Sequence, residues 1–330
     1  ISGNRRGFLK TAGLLSTGFC LTSGSTLASC STGTKETSKI ERIRDRFWIF
    51  TNPAGTDDHR IEKYNIHGGS RMTPAESAYW LGISNIHFIR DQDLPTYPGT
   101  EGLRTKSSYE QYAISFEPLK RVGWSMIGSG GKGNMNELSY ILDLAAKYPN
   151  ISAIFLDDFI LGNSSGSKVH TLALTPDQLR TVKSRMSAVN KNMELWVTLY
   201  TGALNPTASY GYDVEPSLSS FIGLFDVVSL WTSRSEHLID LEKNLSKLEA
   251  VASKNTKIAL GIYTWDYYIG KVISLDLMKH QCELGLKWLK EGRIHNMVFL
   301  GNTLFDLGFE SVDYIKKWIA EVGDQVLAPS

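Results

Sequence analysis

From Phe47 to the C-terminus, apolar runs of strand length alternate with stretches whose apolar residues recur every three to four positions. The runs predict strands at 47–52, 85–90, 124–129, 151–157, 194–200, 226–231, 257–264 and 297–302. The periodic stretches predict helices at 74–81, 109–121, 136–147, 176–190, 216–224, 236–253, 275–291 and 312–322. Two of them carry start signals: Thr73-Pro74-Ala75-Glu76 and Thr175-Pro176-Asp177-Gln178 each put a capping Thr before a Pro at the first helical position. The runs lack strict polar alternation, as expected of strands covered on both faces.

Eight strand-helix units without a break in composition predict a single-domain α/β fold, a (β/α)8 TIM barrel over 41–330. The competing doubly wound sheet calls for a glycine-rich phosphate turn after an early strand. The first turn, Asn52-Pro53-Ala54-Gly55, has no such fingerprint. Gly128-Ser-Gly-Gly-Lys-Gly133 lacks the Gly-Lys-Ser/Thr ending of a P-loop and reads as a loop on top of the barrel.

The N-terminus changes the picture of where the protein works. Arg5-Arg6-Gly7-Phe8-Leu9-Lys10 resembles a twin-arginine export motif, and the uncharged segment behind it ends in Leu27-Ala28-Ser29-Cys30, which resembles a bacterial lipobox. The resemblance implies a signal segment over 1–29, acylation of Cys30, and a polar tether over 30–40 leading to the barrel. The expected location is the periplasmic or outer face of a membrane, held by the lipid anchor alone; ordinary cleavage to a soluble exported protein is the alternative. Removing 1–29 leaves 32 basic against 34 acidic residues, which gives no electrostatic case for nucleic acid. Cys282 then stands alone in a helical stretch, as a small core residue with no disulfide partner.

In a barrel of this kind the reactive face is the carboxyl end of the strands. The fourth strand ends in Asp157-Asp158, an unusual place for charge. Strand alternation lets only one of the two face a given cavity, and Asp157 shares its face with Ile151, Ala153 and Phe155. Other strand ends supply Arg90 and Asp91, Tyr200, Trp231, Tyr263, Trp265 with Asp266, and Asn302. Carboxylates around a mouth lined with Trp and Tyr suit sugars, whose C–H faces stack on aromatic rings while their hydroxyls need fixed polar partners.

On the strength of Ile-Phe-Leu-Asp157-Asp158-Phe, the chain resembles the TIM-barrel glycoside hydrolases, many of which carry a catalytic carboxylate at the end of strand four and a second on a later strand. The Asn-Glu pair and strand-seven Glu of many retaining members are absent. The resemblance implies hydrolysis of O-glycosidic bonds by Asp157 or Asp158 together with Asp266, one protonated as general acid and the other as base or nucleophile. Arg90, Asp91, Tyr200, Trp231, Tyr263, Trp265 and Asn302 are the candidate substrate contacts. Arg90 has an ion pair, and the two tryptophans a place in the barrel roof, as structural alternatives. The segments 91–108 and 202–215 are expected to wall the site. A lipid-anchored barrel that binds a glycan without cleaving it is the second reading. The seven histidines are scattered without His-x-His or His-Glu-x-x-His spacing, so no metal and no cofactor is expected, and the oligomeric state is open.

Overall fold

The computed structural model describes residues 40–96, 107–162 and 167–328. The signal segment, Cys30, Arg5, Arg6 and most of the tether lie outside the described residues. Eight parallel strands close into a barrel: β1 (Phe47–Thr51), β2 (Asn85–Phe88), β3 (Arg121–Ile127), β4 (Ile151–Leu156), β5 (Glu194–Tyr200), β6 (Val227–Trp231), β7 (Lys257–Ile262) and β8 (Asn296–Leu300). Each strand pairs with its sequence neighbours, and β8 closes on β1 with Phe47 opposite Met297 and Phe50 opposite Leu300. Helices α1 (Pro74–Leu81), α2 (Ser108–Ser115), α3 (Glu137–Lys147), α4 (Pro176–Val189), α5 (Leu218–Phe221), α6 (Leu241–Val251), α7 (Leu275–Lys290) and α8 (Glu310–Val322) follow the strands in turn. None of the described helices is long and apolar enough to cross a membrane.

The local causes are those read from the sequence. Thr73 and Thr175 accept from the amides of Glu76 and Gln178, whose side chains bond back to the capping amides. The stretch 109–121 yields a shorter helix, ending at Ser115, because the chain must turn at Pro118 to enter β3 at Arg121 rather than Trp124. The stretch 216–224 yields one α-helical turn and then a 3-10 turn, Ile222–Leu224.

Large rings fill the barrel. Trp48, His87, Phe155 and Trp196 interlock, with the His87 ring 4.4 Å from Trp48 and from Phe155 and 4.5 Å from Trp196. One layer higher, Phe50 meets Phe155 at 6.1 Å and Trp231 at 5.7 Å. Two glycines make this filling possible. A Cβ on Gly123 of β3 would stand 2.2 Å from His87 Nδ1, and one on Gly261 of β7 would stand 2.2 Å from the Trp231 indole. At the bottom, Glu194 accepts from Arg121 and Lys257 at 2.6 and 2.7 Å. Outside the strands, Trp318 of α8 stacks on Phe47 and Trp288 of α7 is fully buried, while Cys282 is a buried, unpaired core residue.

His87 is fully buried and, among the described residues, neither ring nitrogen has a hydrogen-bond partner. Burial, helped by Arg121, pushes its pKa well below the ordinary value. The unfolded chain therefore binds a proton at His87 below pH of about 6.5 while the folded chain does not. Stability from this group is complete above that pH and is lost as pH falls, by up to about 1.4 kcal/mol per unit. Replacing His87 by Leu is expected to flatten the acid side of the denaturation midpoint measured against pH; an unchanged acid slope would count against this assignment.

Candidate functional site

A cavity of about 710 Å³ opens at the carboxyl ends of the strands. Its floor is set by the way β4 ends. The ladder between β3 and β4 shifts register beyond Ser125, so that Ile127 pairs with Leu156. Asp157 then follows with its amide bonded to the Ile127 carbonyl at 2.9 Å. Its carboxyl faces inward, only 4% of the residue is exposed, and Oδ1 accepts from Thr198 Oγ1 of β5 at 3.1 Å. Asp158 takes a left-handed backbone, φ 43°. That conformation breaks strand alternation, and both aspartates line the same cavity. The expectation that only one faces it is thereby corrected. Strand geometry ends at Leu156, one residue too early to apply to the pair.

Asp158 is an acceptor on both oxygens: Tyr200 donates to Oδ1 at 2.7 Å and the Gly130 amide to Oδ2 at 2.7 Å. The glycine-rich loop after β3 thus serves as a donor to the pair. Burial first, and then the Asp158 charge, push the Asp157 carboxyl well above the usual carboxylate range. Burial and the two aspartates likewise raise the hydroxyls of Tyr200 and Tyr263. Asp157 therefore keeps a proton to higher pH than an ordinary carboxyl does, while Asp158 receives hydrogen bonds on both oxygens.

Opposite the pair, the loop after β1 brings in Asp57, Arg60 and Tyr64. Arg60 bridges Asp57 at 2.9 Å and Asp91 at 3.0 Å. Burial raises Asp91, and Arg60 pulls it back. Tyr210, Tyr212, Tyr267 and Tyr268 line the walls, together with His170. The wall after β4 and β5 is a small sheet of Ile160–Leu161, Val169–Leu172 and Asp213–Glu215. The expected wall 202–215 takes this place, whereas 97–106 of the other expected wall lies outside the described residues.

Asp91, Asp157, Asp158, Tyr200 and Tyr263 come together as the sequence suggested; five other candidates do not. Asp266 clamps its own hairpin to the loop after β6. One oxygen accepts from the Ser235 amide and hydroxyl at 2.7 and 2.6 Å, the other from the amides of Tyr268 and Ile269 at 2.9 and 3.2 Å. Burial raises this carboxyl, but the Ser235 bonds and the two amides outweigh it and hold it below the ordinary value. Arg90 is paired with Glu137, a fully buried residue in the first turn of α3 that also takes the Tyr109 hydroxyl. Trp231 fills the barrel over Gly261 and Trp265 donates to the Tyr64 carbonyl at 3.2 Å; both are core residues rather than stacking platforms. Asn302 spends its amide on Asn52 N and O and on Met72 O, at 2.8, 2.9 and 2.8 Å, and so ties the β1 loop to the end of β8.

The sequence reading missed Asp57, Arg60 and Tyr64, although Asp57-Asp58-His59-Arg60 directly after a strand was an available signal. It also passed over Tyr210 and Tyr212, inside a segment it had already assigned to the wall. No group of three or more His, Cys, Asp or Glu side chains among the described residues is arranged to hold a metal ion.

No family model and no curated protein sequence matches the chain. Solved structures do match. A putative alpha-L-fucosidase from Bacteroides thetaiotaomicron superposes with a TM-score of 0.50 at 9% identity, covering 91% of this chain and 100% of that one. By fold, the neighbours are glycoside hydrolases. A mutant xylanase from Cellvibrio japonicus gives 0.49 at 12% identity over 78% and 87% of the two chains. Active domain 2 of a chitinase from Pyrococcus furiosus gives 0.49 at 13% over 84% and 96%. At such identities the likeness to the first shows the barrel fold alone, and the other two add no weight to it.

Proposed function

We propose that this protein hydrolyses O-glycosidic bonds, with Asp157 giving its proton to the departing oxygen and Asp158 taking one from the water that replaces it. The observation that carries this reading is the pair itself: two carboxyls from consecutive residues face one tyrosine-lined cavity, and one of them is buried enough to stay protonated. Proton transfer balances across the pair. The bond from the anomeric carbon to the leaving oxygen breaks as Asp157 protonates that oxygen. Water then adds to the anomeric carbon and its proton passes to Asp158, from which the pair is reset by exchange. Asp158, fixed by Tyr200 and Gly130, also places negative charge beside the positive charge that develops on the sugar. The cavity lies within the range of about 300–1,000 Å³ usual for small-ligand sites, and its tyrosines offer faces for sugar rings.

The test is product analysis with the purified protein on a panel of aryl glycosides and oligosaccharides across pH. Turnover is expected, with a rate that falls as pH rises through the raised value of Asp157, because the acid must be protonated. Saturable binding of glycans with no product at any pH would replace this reading with that of a glycan-binding barrel.

A further inference from the structure

The cavity is charged in layers. Its carboxyls lie deep: Asp57, Asp91 and Asp157 are buried and Asp158 is half-buried. Its exposed lining residues that carry charge, counting histidine, are all basic: His59, Lys63 and Lys132. Arg234 and His237 stand half-buried after β6, and His170 on the small sheet after β4. Four of these basic groups are laid on tyrosine faces. His170 stacks on Tyr212 with ring centres 3.9 Å apart and 11° between planes, His237 lies 3.9 Å from Tyr210, and the Arg234 guanidinium is 3.9 Å from the Tyr268 centre. Lys63 sits 4.7 Å over Tyr64.

The charges are unevenly matched. Arg60 is neutralised by Asp57 and Asp91. Glu236 lies 3.6 Å from Arg234 and 3.5 Å from His237 and tempers that side. Among the described residues neither Lys63 nor Lys132 has a carboxylate within ion-pair distance, and they come from separate loops, after β1 and after β3. A neutral saccharide makes no use of such a mouth, whereas a saccharide with negatively charged substituents gains from it.

We propose that the substrate is an acidic saccharide, a glycan carrying carboxylate or sulfate groups, whose anionic substituents are held at the mouth by Lys63, Lys132 and Arg234 while an uncharged part of the sugar enters the acidic floor. This rests on the glycosidase reading and narrows its substrate class. Neutral rings alone sit over Asp157 and Asp158, since an anion placed there meets Asp158.

The experiment uses the full chain carrying Asp157→Asn, so that ligands survive, and calorimetric titration with three families of oligosaccharide: uronate-containing, the same chains after carboxyl reduction, and sulfated. At low ionic strength one of the anionic families is expected to bind at least about tenfold more tightly than the reduced chains, with the advantage shrinking as salt is raised. Lys63→Ala and Lys132→Ala are expected to remove most of that advantage, weakening the anionic chains far more than the reduced ones. The uronate and sulfate arms decide which anion is preferred. Equal, salt-independent binding of charged and reduced chains overturns the proposal and leaves glycoside hydrolysis standing. Wild-type cleavage of reduced chains but not of anionic ones does the same. Absence of binding by all three families overturns both readings.

Discussion

Replacing Asp157 by Asn is expected to slow glycoside turnover by about 10²–10⁴-fold, the usual contribution of a general acid, while leaving the barrel as stable as before or more so. Asn has nearly the shape of Asp, and its carbonyl oxygen accepts the bond from Thr198. What disappears is the proton donor and the repulsion from Asp158. The stability effect has a definite sign. Because the folded pKa of Asp157 is raised, the folded chain holds a proton there that the unfolded chain releases once pH exceeds about 3.9. Wild-type stability from this group therefore declines as pH rises from that value through the folded pKa, and the Asn variant escapes the decline. Activity and stability should move in opposite directions, as is common where a site is maintained against its own cost. Steady-state rates and denaturant midpoints at several pH values measure both. Asp266→Asn serves as the contrast. It breaks a loop clamp outside the cavity, so a modest change in turnover with a loss of stability is expected.

The second large effect concerns stability alone. Arg90→Met is expected to destabilise the fold by about 3–5 kcal/mol, because it takes the Arg90 cation away from the fully buried Glu137 carboxylate. Adding Glu137→Leu should recover much of that loss, since a buried ion pair replaced as a whole by apolar residues of similar volume is often near neutral. The KM of the folded single variant should stay at the wild-type value, because Arg90 does not line the cavity. Denaturant unfolding of the two variants, with KM measured alongside, checks this. A raised KM with unchanged stability would restore Arg90 as a substrate contact.

The strands were legible because a parallel barrel covers each on both faces, and such strands must be written as apolar runs: β1 and β8 are buried at every position. The starts of α1 and α4 were legible from their capping Thr and following Pro, which act through neighbouring residues alone. That the end of β4 opens on the cavity was legible from charge placed where burial is costly. Other features were set by contacts that no local pattern records. Glu137 stands 47 positions from Arg90, and Asn302 reaches 250 positions back to Asn52. The alternation argument failed at Asp158 because one left-handed residue reverses the face of a side chain, and nothing short of the backbone shows it. Asp266 misled because a carboxylate beside three aromatics reads alike whether it faces a ligand or caps a hairpin, here Trp265–Asp266 with Lys271–Val272.

Catalysis by general acid requires a carboxyl that keeps its proton at the floor of the barrel. Titrating the protein by carbon NMR with labelled aspartate carboxyls tests that directly. One resonance should titrate well above the ordinary aspartate range and vanish in the Asp157→Asn variant. A spectrum in which the Asp157 carboxyl titrates at or below about 4, the ordinary aspartate value, would contradict the account.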